Sequence, residues 1–376
     1  MSYRTTRRQV LSSAIAASVS SARLTVDCAQ AAEEPLSGAF SRNNLYFGSA
    51  VRIEEVVRNQ DFRNLLLHEC DYFTPEVALK WAAVERSPGS FNFTSMDALA
   101  NFALANKKRL CGHTLLWHKS VPHWATALLF EKDGWRIVQR YFEAAFSRYG
   151  HAIDRWDVVN EPIETGYRMD GLRNSIFLQA FGTDYVARAL WEARQLAPGA
   201  KLMINEFGLE YDLRVEHDRR YHLLKLLERL RQAGVPLDGI GLQAHLDLSK
   251  GALSADVLGR FLKEIADLGL FIVISELDVK EHEYILPVEQ RDNRVADETR
   301  RYLDIAFGQP AVRGLITWGL SDRHSWLQVT QEDVARYPNA WKDGSTPGVN
   351  RGLPFDYSLK PKPMYRAIAD SVRRLR

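Results

Sequence analysis

From Leu45 onward the chain alternates short apolar runs with stretches whose apolar residues recur at helical spacing. The apolar runs fall at residues 45–51, 72–77, 109–117, 153–161, 201–207, 239–246, 271–279 and 314–322, and each is long enough for a strand buried on both faces. Helical patterns follow them, for example over 93–108, 135–149, 184–196, 221–233, 258–268 and 364–376. Eight strands alternating with eight helices predict an α/β fold, a closed (β/α)8 TIM barrel. Residues 32–44 read as a polar lead-in, and the long Pro- and Gly-containing stretch after the eighth strand, 322–362, reads as a loop covering part of the barrel mouth. No linker or second domain interrupts the pattern, so 32–376 is read as one domain.

Composition changes this picture only at the N-terminus. The paired arginines Arg7 and Arg8, a weakly apolar Ala/Ser-rich stretch and the small residues Ala29-Gln30-Ala31 predict a twin-arginine-type signal over residues 1–31 and hence a periplasmic or secreted protein. Asp27 stands where lipid anchoring at Cys28 would need a small residue. The formal net charge is +2, and without the first 31 residues, which hold four arginines and one aspartate, it is −1. A nearly neutral surface suits an uncharged ligand and gives no footprint for nucleic acid. No later stretch approaches the roughly 20 apolar residues that span a membrane, so the mature form is expected to be free of one. Cys70 and Cys111 are read as buried thiols, with one bridge left open by export.

In such a barrel the chemistry sits at the C-terminal ends of the strands. Those ends carry Glu76 and Lys80 at the second strand, His113, Trp117 and His118 at the third, Asn160 and Glu161 at the fourth, and Asn205 and Glu206 at the fifth. Gln243 and His245 follow at the sixth, Glu276 and Asp278 at the seventh, and Trp318, Asp322 and Trp326 at the eighth. Carboxylates, amides and indoles suit a neutral sugar, with hydrogen bonds for hydroxyls and flat apolar faces for pyranose rings. Glu161 and Glu276, each closing an apolar run, supply the acid and the carboxylate that glycosidic bond cleavage needs; position alone does not say which is which. Pro162 is expected to keep Glu161 extended by disfavouring helical backbone before it.

Trp156-Asp157-Val158-Val159-Asn160-Glu161-Pro162 and Ile274-Ser275-Glu276-Leu277-Asp278-Val279 resemble the two catalytic segments of glycoside hydrolase family 10, the endo-β-1,4-xylanases. Gly112 to His118, Gly241 to His245, Thr317 to Asp322, Thr74-Pro75-Glu76 with Lys80-Trp81, and Leu172 to Ser175 resemble further blocks of that family in the same order. The resemblance implies a retaining endo-β-1,4-glycosidase acting on xylan, with Glu161 as acid/base, Glu276 as nucleophile, Asn160 on the sugar 2-hydroxyl, and His245 held between Glu276 and Asp278. It also implies that Glu76, Lys80, His113, Trp117, Gln243, Trp318 and Trp326 bind substrate. No metal or cofactor is expected, and the protein is expected to be a monomer.

Three departures stand out. Val77 replaces an asparagine after Glu76, Lys119-Ser120 replaces a Ser-Gln pair after His118, and Glu206-Phe207 replaces an Asp-Tyr pair. Val77 and Ser120 are expected to touch one subsite, so a decorated xylan, or another β-linked polymer such as an exopolysaccharide or β-glucan, is an alternative substrate. A metal enzyme using His113, His118 and His123 is disfavoured by the five-residue spacing and by Pro122. A phosphate-binding barrel enzyme lacks a glycine-rich loop after strands seven and eight. A non-catalytic carbohydrate-binding protein on the same fold is disfavoured by the retention of both glutamates with His245 and Asp278.

Overall fold

The computed structural model describes residues 34–327, 329–336 and 348–375; the expected signal over 1–31 lies outside them. Pro35 to Arg376 forms one compact unit. Its centre is a ring of eight parallel strands: β1 (Tyr46–Val51), β2 (Tyr72–Pro75), β3 (Arg109–Gly112), β4 (Ile153–Asn160), β5 (Lys201–Glu206), β6 (Gly239–Leu242), β7 (Phe271–Lys280) and β8 (Val312–Thr317). Pairing of β8 with both β1 and β7, through Gly314 with Tyr46 and Thr317 with Leu277, closes the ring.

Two expected strands are interrupted. The run 109–117 leaves the sheet after Gly112 and returns as Leu116–Trp117, paired with Val159 and Asn160. The run 239–246 leaves after Leu242 and returns as His245–Asp247, paired with Asp278 to Lys280. Ala244, in that gap, has a φ of 56°, a left-handed turn that no apolar pattern announces. The eighth strand stops at Thr317, so Trp318 and Asp322 lie beyond it, while β7 continues past Glu276.

The helices pack their apolar stripes on the outside of the ring. Ala255–Asp267 buries Leu258, Phe261, Leu262 and Ile265, the i, i+3, i+4, i+7 set of one helical face, and the Ser254 side chain caps its start by accepting from the Val257 amide. The expected helix at 221–233 begins earlier, as Arg214–Gln232. Its first turns are anchored by buried charges: Glu216 accepts from the Tyr211 amide, and Arg220 donates to the carbonyls of Leu209 and Tyr211. Buried polar anchors are invisible to an apolar periodicity.

The lead-in at 32–44 contains a helix, Leu36–Ser41, that buries Leu36, Ala39 and Phe40. Phe40 meets Phe47 and Phe307 at 5.4 and 5.7 Å between ring centroids. Six residues are too few for a periodic signal, and only the tertiary contacts hold such a helix. Cys70 and Cys111 are both buried and free. No helix among the described residues is long and apolar enough to cross a membrane.

Candidate active site

A cleft of about 720 Å³ opens at the C-terminal end of the barrel. All twelve side chains assigned to the site by sequence lie there: Glu76, Lys80, His113, Trp117, Asn160, Glu161, Gln243, His245, Glu276, Asp278, Trp318 and Trp326 line it together. Asp322 does not; it is buried under the loop after β8, where Lys362 Nζ donates to it at 2.7 Å. Glu206 is likewise withdrawn: its carboxylate accepts from the amides of Ile163 and Phe207 at 2.8 and 3.0 Å, and burial pushes it up to about 7 against the pull of Arg219. Ser120 is also buried, its hydroxyl 3.4 Å from the Ala82 amide, whereas Val77 and Lys119 do line the cleft. The expectation that Val77 and Ser120 act in one subsite therefore transfers to Val77 and Lys119, because the turn after Trp117 points residue 120 inward.

Glu276 is held from two sides. Asn205 Nδ2 donates to its Oε1 at 2.6 Å, and His245 Nε2 contacts its Oε2 at 3.2 Å. His245 Nδ1 contacts Asp278 Oδ1 at 2.8 Å, and Trp326 Nε1 donates to Asp278 Oδ2 at 2.6 Å. Glu276 and Asp278 are two residues apart on β7, so they share a face and the imidazole spans them. Burial works against charge on His245, but Asp278 and Glu276 outweigh it and raise the imidazole to about 10. It is thus an imidazolium at neutral pH, donating at both nitrogens. Burial also opposes ionisation of Glu276, yet His245, His113 and Lys80 together hold its carboxyl below the usual range.

Asn205 is the residue whose role the sequence did not reveal. It sits opposite Asn160 in the β4–β5 register, donates to Asn160 Oδ1 at 2.8 Å as well as to Glu276, and accepts from Ser275 Oγ at 2.6 Å. A Cβ at Gly241 would come within 2.1 Å of its Oδ1, so only glycine there leaves room for this hub. Gln243 Nε2 adds a longer bond to Asn160 Oδ1 at 3.3 Å. Asp157, also unassigned, contacts His113 Nδ1 through Oδ2 at 2.9 Å and fixes the ring whose edge meets Trp318.

Glu161 is held differently. The residue is not extended: its φ is 56°. Pro162 disfavours the right-handed helical region as expected, and the backbone resolves that by turning left-handed, with the Glu161 amide donating to Asn205 O at 2.8 Å and Arg173 Nε to Glu161 O at 2.8 Å. Its Oε1 receives only a long contact from Asn160 Nδ2 at 3.4 Å, and its Oε2 is buried with no hydrogen-bond partner. Lys119 Nζ and His118 Nε2 stand 3.8 and 4.0 Å from that oxygen. Burial and the nearby Arg173 lower His118 to about 4, so it is neutral.

The remaining lining is aromatic and cationic. Lys80 Nζ lies 4.3 Å from the Trp117 ring centroid and 5.8 Å from that of Trp318. Burial lowers Lys80 while Glu276, Glu76 and Glu161 support its charge. Glu76 pairs with Arg52, a further lining residue that the sequence did not single out. Among the described residues no three His, Cys, Asp or Glu groups converge as a metal site.

Residues 36–371 match the model of glycosyl hydrolase family 10. The chain is 32% identical over 333 residues to an endo-1,4-β-xylanase of Agaricus bisporus, covering 87% of this chain and 88% of that protein. It is 29% identical over 312 residues to endo-1,4-β-xylanase B of Thermotoga neapolitana, covering 83% of each. Its fold matches the crystal structure of xylanase 10B from Thermotoga petrophila RKU-1 in complex with xylobiose with a TM-score of 0.76 and 26% identity, over 90% of this chain and 97% of that one.

Proposed function

From the premise that the chain belongs to glycosyl hydrolase family 10, we propose that it is a retaining endo-1,4-β-xylanase, hydrolysing xylan by double displacement with Glu276 as nucleophile and Glu161 as acid/base. The observation that carries the assignment is the unequal satisfaction of the two carboxylates. Both oxygens of Glu276 meet donors, which favours its ionised form, whereas Glu161 Oε2 has no hydrogen-bond donor.

In the first step a carboxylate oxygen of Glu276 bonds to the anomeric carbon as the glycosidic bond breaks, and the leaving sugar oxygen takes the Glu161 proton. In the second, Glu161 removes a proton from water, whose oxygen attacks the same carbon and releases Glu276. The two inversions give net retention. Asn160 is placed to meet the sugar 2-hydroxyl, and His245 keeps Glu276 oriented and charged. Glu76, Lys80, His113, Gln243 and the indoles of Trp117, Trp318 and Trp326 supply the sugar contacts. Val77 and Lys119 are where a substituent on the chain would be felt.

Azide rescue tests the roles. Glu276→Ala with azide is expected to yield a glycosyl azide of inverted configuration, and Glu161→Ala one of retained configuration. Exchanged products would exchange the roles, and full activity in either variant would remove that residue from the chemistry.

The same reading includes export by the twin-arginine-type segment and action as a monomer. Arg7→Lys with Arg8→Lys should leave an unprocessed precursor in the cytoplasm. Normal export of that variant would refute the signal, and a dimer mass by light scattering would refute the monomer.

A further inference from the structure

Residues 244–247 bring His245 to Glu276, and they do so outside the closed ring. The segment His245–Asp247 pairs with β7 over three residues, His245 opposite Asp278, and lies at the end of the strand order, so the sheet supports it along one edge. Just before it Ala244 leaves the β6 ladder in a left-handed turn and is wholly buried. A buried amide outside a ladder needs an acceptor from elsewhere in the fold. The acceptors here come from the loop after β5. Glu210 Oε1 accepts from the Ala244 amide at 3.1 Å, and the Tyr211 hydroxyl oxygen accepts from the Asp247 amide at 2.9 Å. Glu216, in the first turn of the helix Arg214–Gln232, adds a third tie by accepting from Lys250 Nζ at 2.7 Å. Positions 244, 247 and 250 are thus fastened in turn to 210, 211 and 216, and His245 falls between the first two ties.

The loop that holds them is itself fixed. Glu210 Oε2 accepts from the Leu209 amide at 2.8 Å, and the Tyr211 hydroxyl donates to Glu298 Oε1 at 3.0 Å. The Tyr211 amide donates to Glu216 Oε2 at 2.6 Å, and Arg220 bonds the carbonyls on both sides of Glu210. Glu210, Tyr211 and Glu216 are each at most 2% exposed, and neither Glu210 nor Tyr211 lines the cleft. Any effect they have on the hydrolysis must therefore pass through another residue. His245 Nε2 stands 3.2 Å from Glu276 Oε2, near the long end of a hydrogen bond, so a displacement of less than about 1 Å parts them.

We infer that Glu210 and Tyr211 are positioning residues for the hydrolysis: by fixing the amides of residues 244 and 247 they hold the imidazole between them in contact with Asp278 and Glu276. The inference rests on the reading of Glu276 as nucleophile with His245 as its brace. It assigns to the loop after β5 a task in the chemistry, carried out at one remove from the cleft.

The test makes Glu210→Gln and Tyr211→Phe, alone and combined with His245→Gln, and measures kcat and KM on linear xylo-oligosaccharides. Proton magnetic resonance of the His245 ring N–H signals, assigned by their loss in His245→Gln, supplies a readout independent of activity. Glu210→Gln should lower kcat about 10- to 100-fold, as a small misplacement of a catalytic group does, with KM nearly unchanged. Tyr211→Phe, which keeps the ring and removes one acceptor, should lower kcat about two- to tenfold. In both the His245 ring signals should shift or be lost to exchange with water, and neither change should lower kcat further once His245→Gln is present. Leu99→Ala, in the buried face of the helix Thr94–Ala105 before β3, should lower the melting temperature and leave the ring signals in place. Should Glu210→Gln fail to fold, Tyr211→Phe decides. Unmoved ring signals, or losses of kcat that persist in full beside His245→Gln, would overturn the positioning role. If His245→Gln itself hydrolysed xylan at the wild-type rate, the reading of His245 as a brace would fall, whatever the ring signals did in the other variants.

Discussion

Glu276 and Glu161 stand on two walls of one cleft, and the walls are built differently. The Glu276 wall is a continuous strand, with its carboxylate fixed by Asn205 and by an imidazolium that Asp278 and Trp326 hold in turn. The Glu161 wall is the end of a strand, one residue past the last residue of β4. Its residue is turned to a positive φ, a conformation costing about 1 to 3 kcal/mol for a non-glycine residue, and one carboxylate oxygen has the Lys119 ammonium 3.8 Å away but no hydrogen-bond donor. A nucleophile must stay ionised in a fixed place, whereas an acid/base must exchange a proton twice per turnover; the saturated wall suits the first and the open wall the second.

Truncation should separate the walls most strongly. Glu276→Ala is expected to lower kcat by roughly 10⁴- to 10⁶-fold on every substrate. Glu161→Ala should cost about 10²- to 10⁴-fold on xylan, the usual worth of general acid–base catalysis, and much less on an aryl xyloside whose leaving group needs no proton. Steady-state rates on xylan and on the aryl substrate check both. If both variants lost activity equally on the aryl substrate, the contrast between the walls would be false.

Next comes the brace itself. His245→Gln should reduce kcat/KM by about 10²-fold, as loss of a preorganised donor does, and should move the acid limb of the pH–rate profile upward, because Glu276 loses the contact that most favours its charge. Stability carries a separate signature. The folded imidazole is raised to about 10 against an unfolded value near 6.5, so the folded state holds an extra proton between those limits. Its contribution is complete below about pH 6.5 and is lost as pH rises toward 10. Urea midpoints at pH 6 and pH 9.5 should therefore fall for the wild type and fall less for His245→Gln. Parallel declines would show that the brace does not hold the proton.

The smallest expected effect lies on the sugar-binding rim. Val77→Asn restores a hydrogen-bonding side chain in the cleft, where one neutral bond is worth about 0.5 to 1.5 kcal/mol, roughly 2- to 13-fold in kcat/KM on linear xylo-oligosaccharides. Gain on the linear substrate with loss on a decorated xylan would mark this position as a specificity determinant. No change on either would make Val77 neutral.

Reading apolar runs recovered the eight strands and the ring they make, because strands buried on both faces must be apolar throughout and that property survives without tertiary information. The helix at Trp135–Tyr149 matched its expected limits for the corresponding reason, a single uninterrupted apolar stripe. Helix Leu36–Ser41 escaped notice because six residues carry too little periodicity, and the early start of Arg214–Gln232 escaped because Glu216, Arg219 and Arg220 are buried charges.

The site divides along the same line. Glu161 and Glu276 were legible from sequence because a carboxylate closing an apolar run is costly unless a site uses it, and the order of the surrounding motifs placed the other cleft residues. What the chain alone could not state is which groups meet across strands. The hub at Asn205 depends on the register that sets it opposite Asn160 and on the missing Cβ of Gly241. The left-handed turn at Glu161 depends on partners 12 and 44 residues away, Arg173 and Asn205. The inward turn of Ser120 is likewise decided by a neighbour distant in sequence. A sequence determines which side chains must be buried; closure of the barrel decides which buried polar atoms find partners, since a hydrogen bond is fixed by distances that no linear pattern encodes.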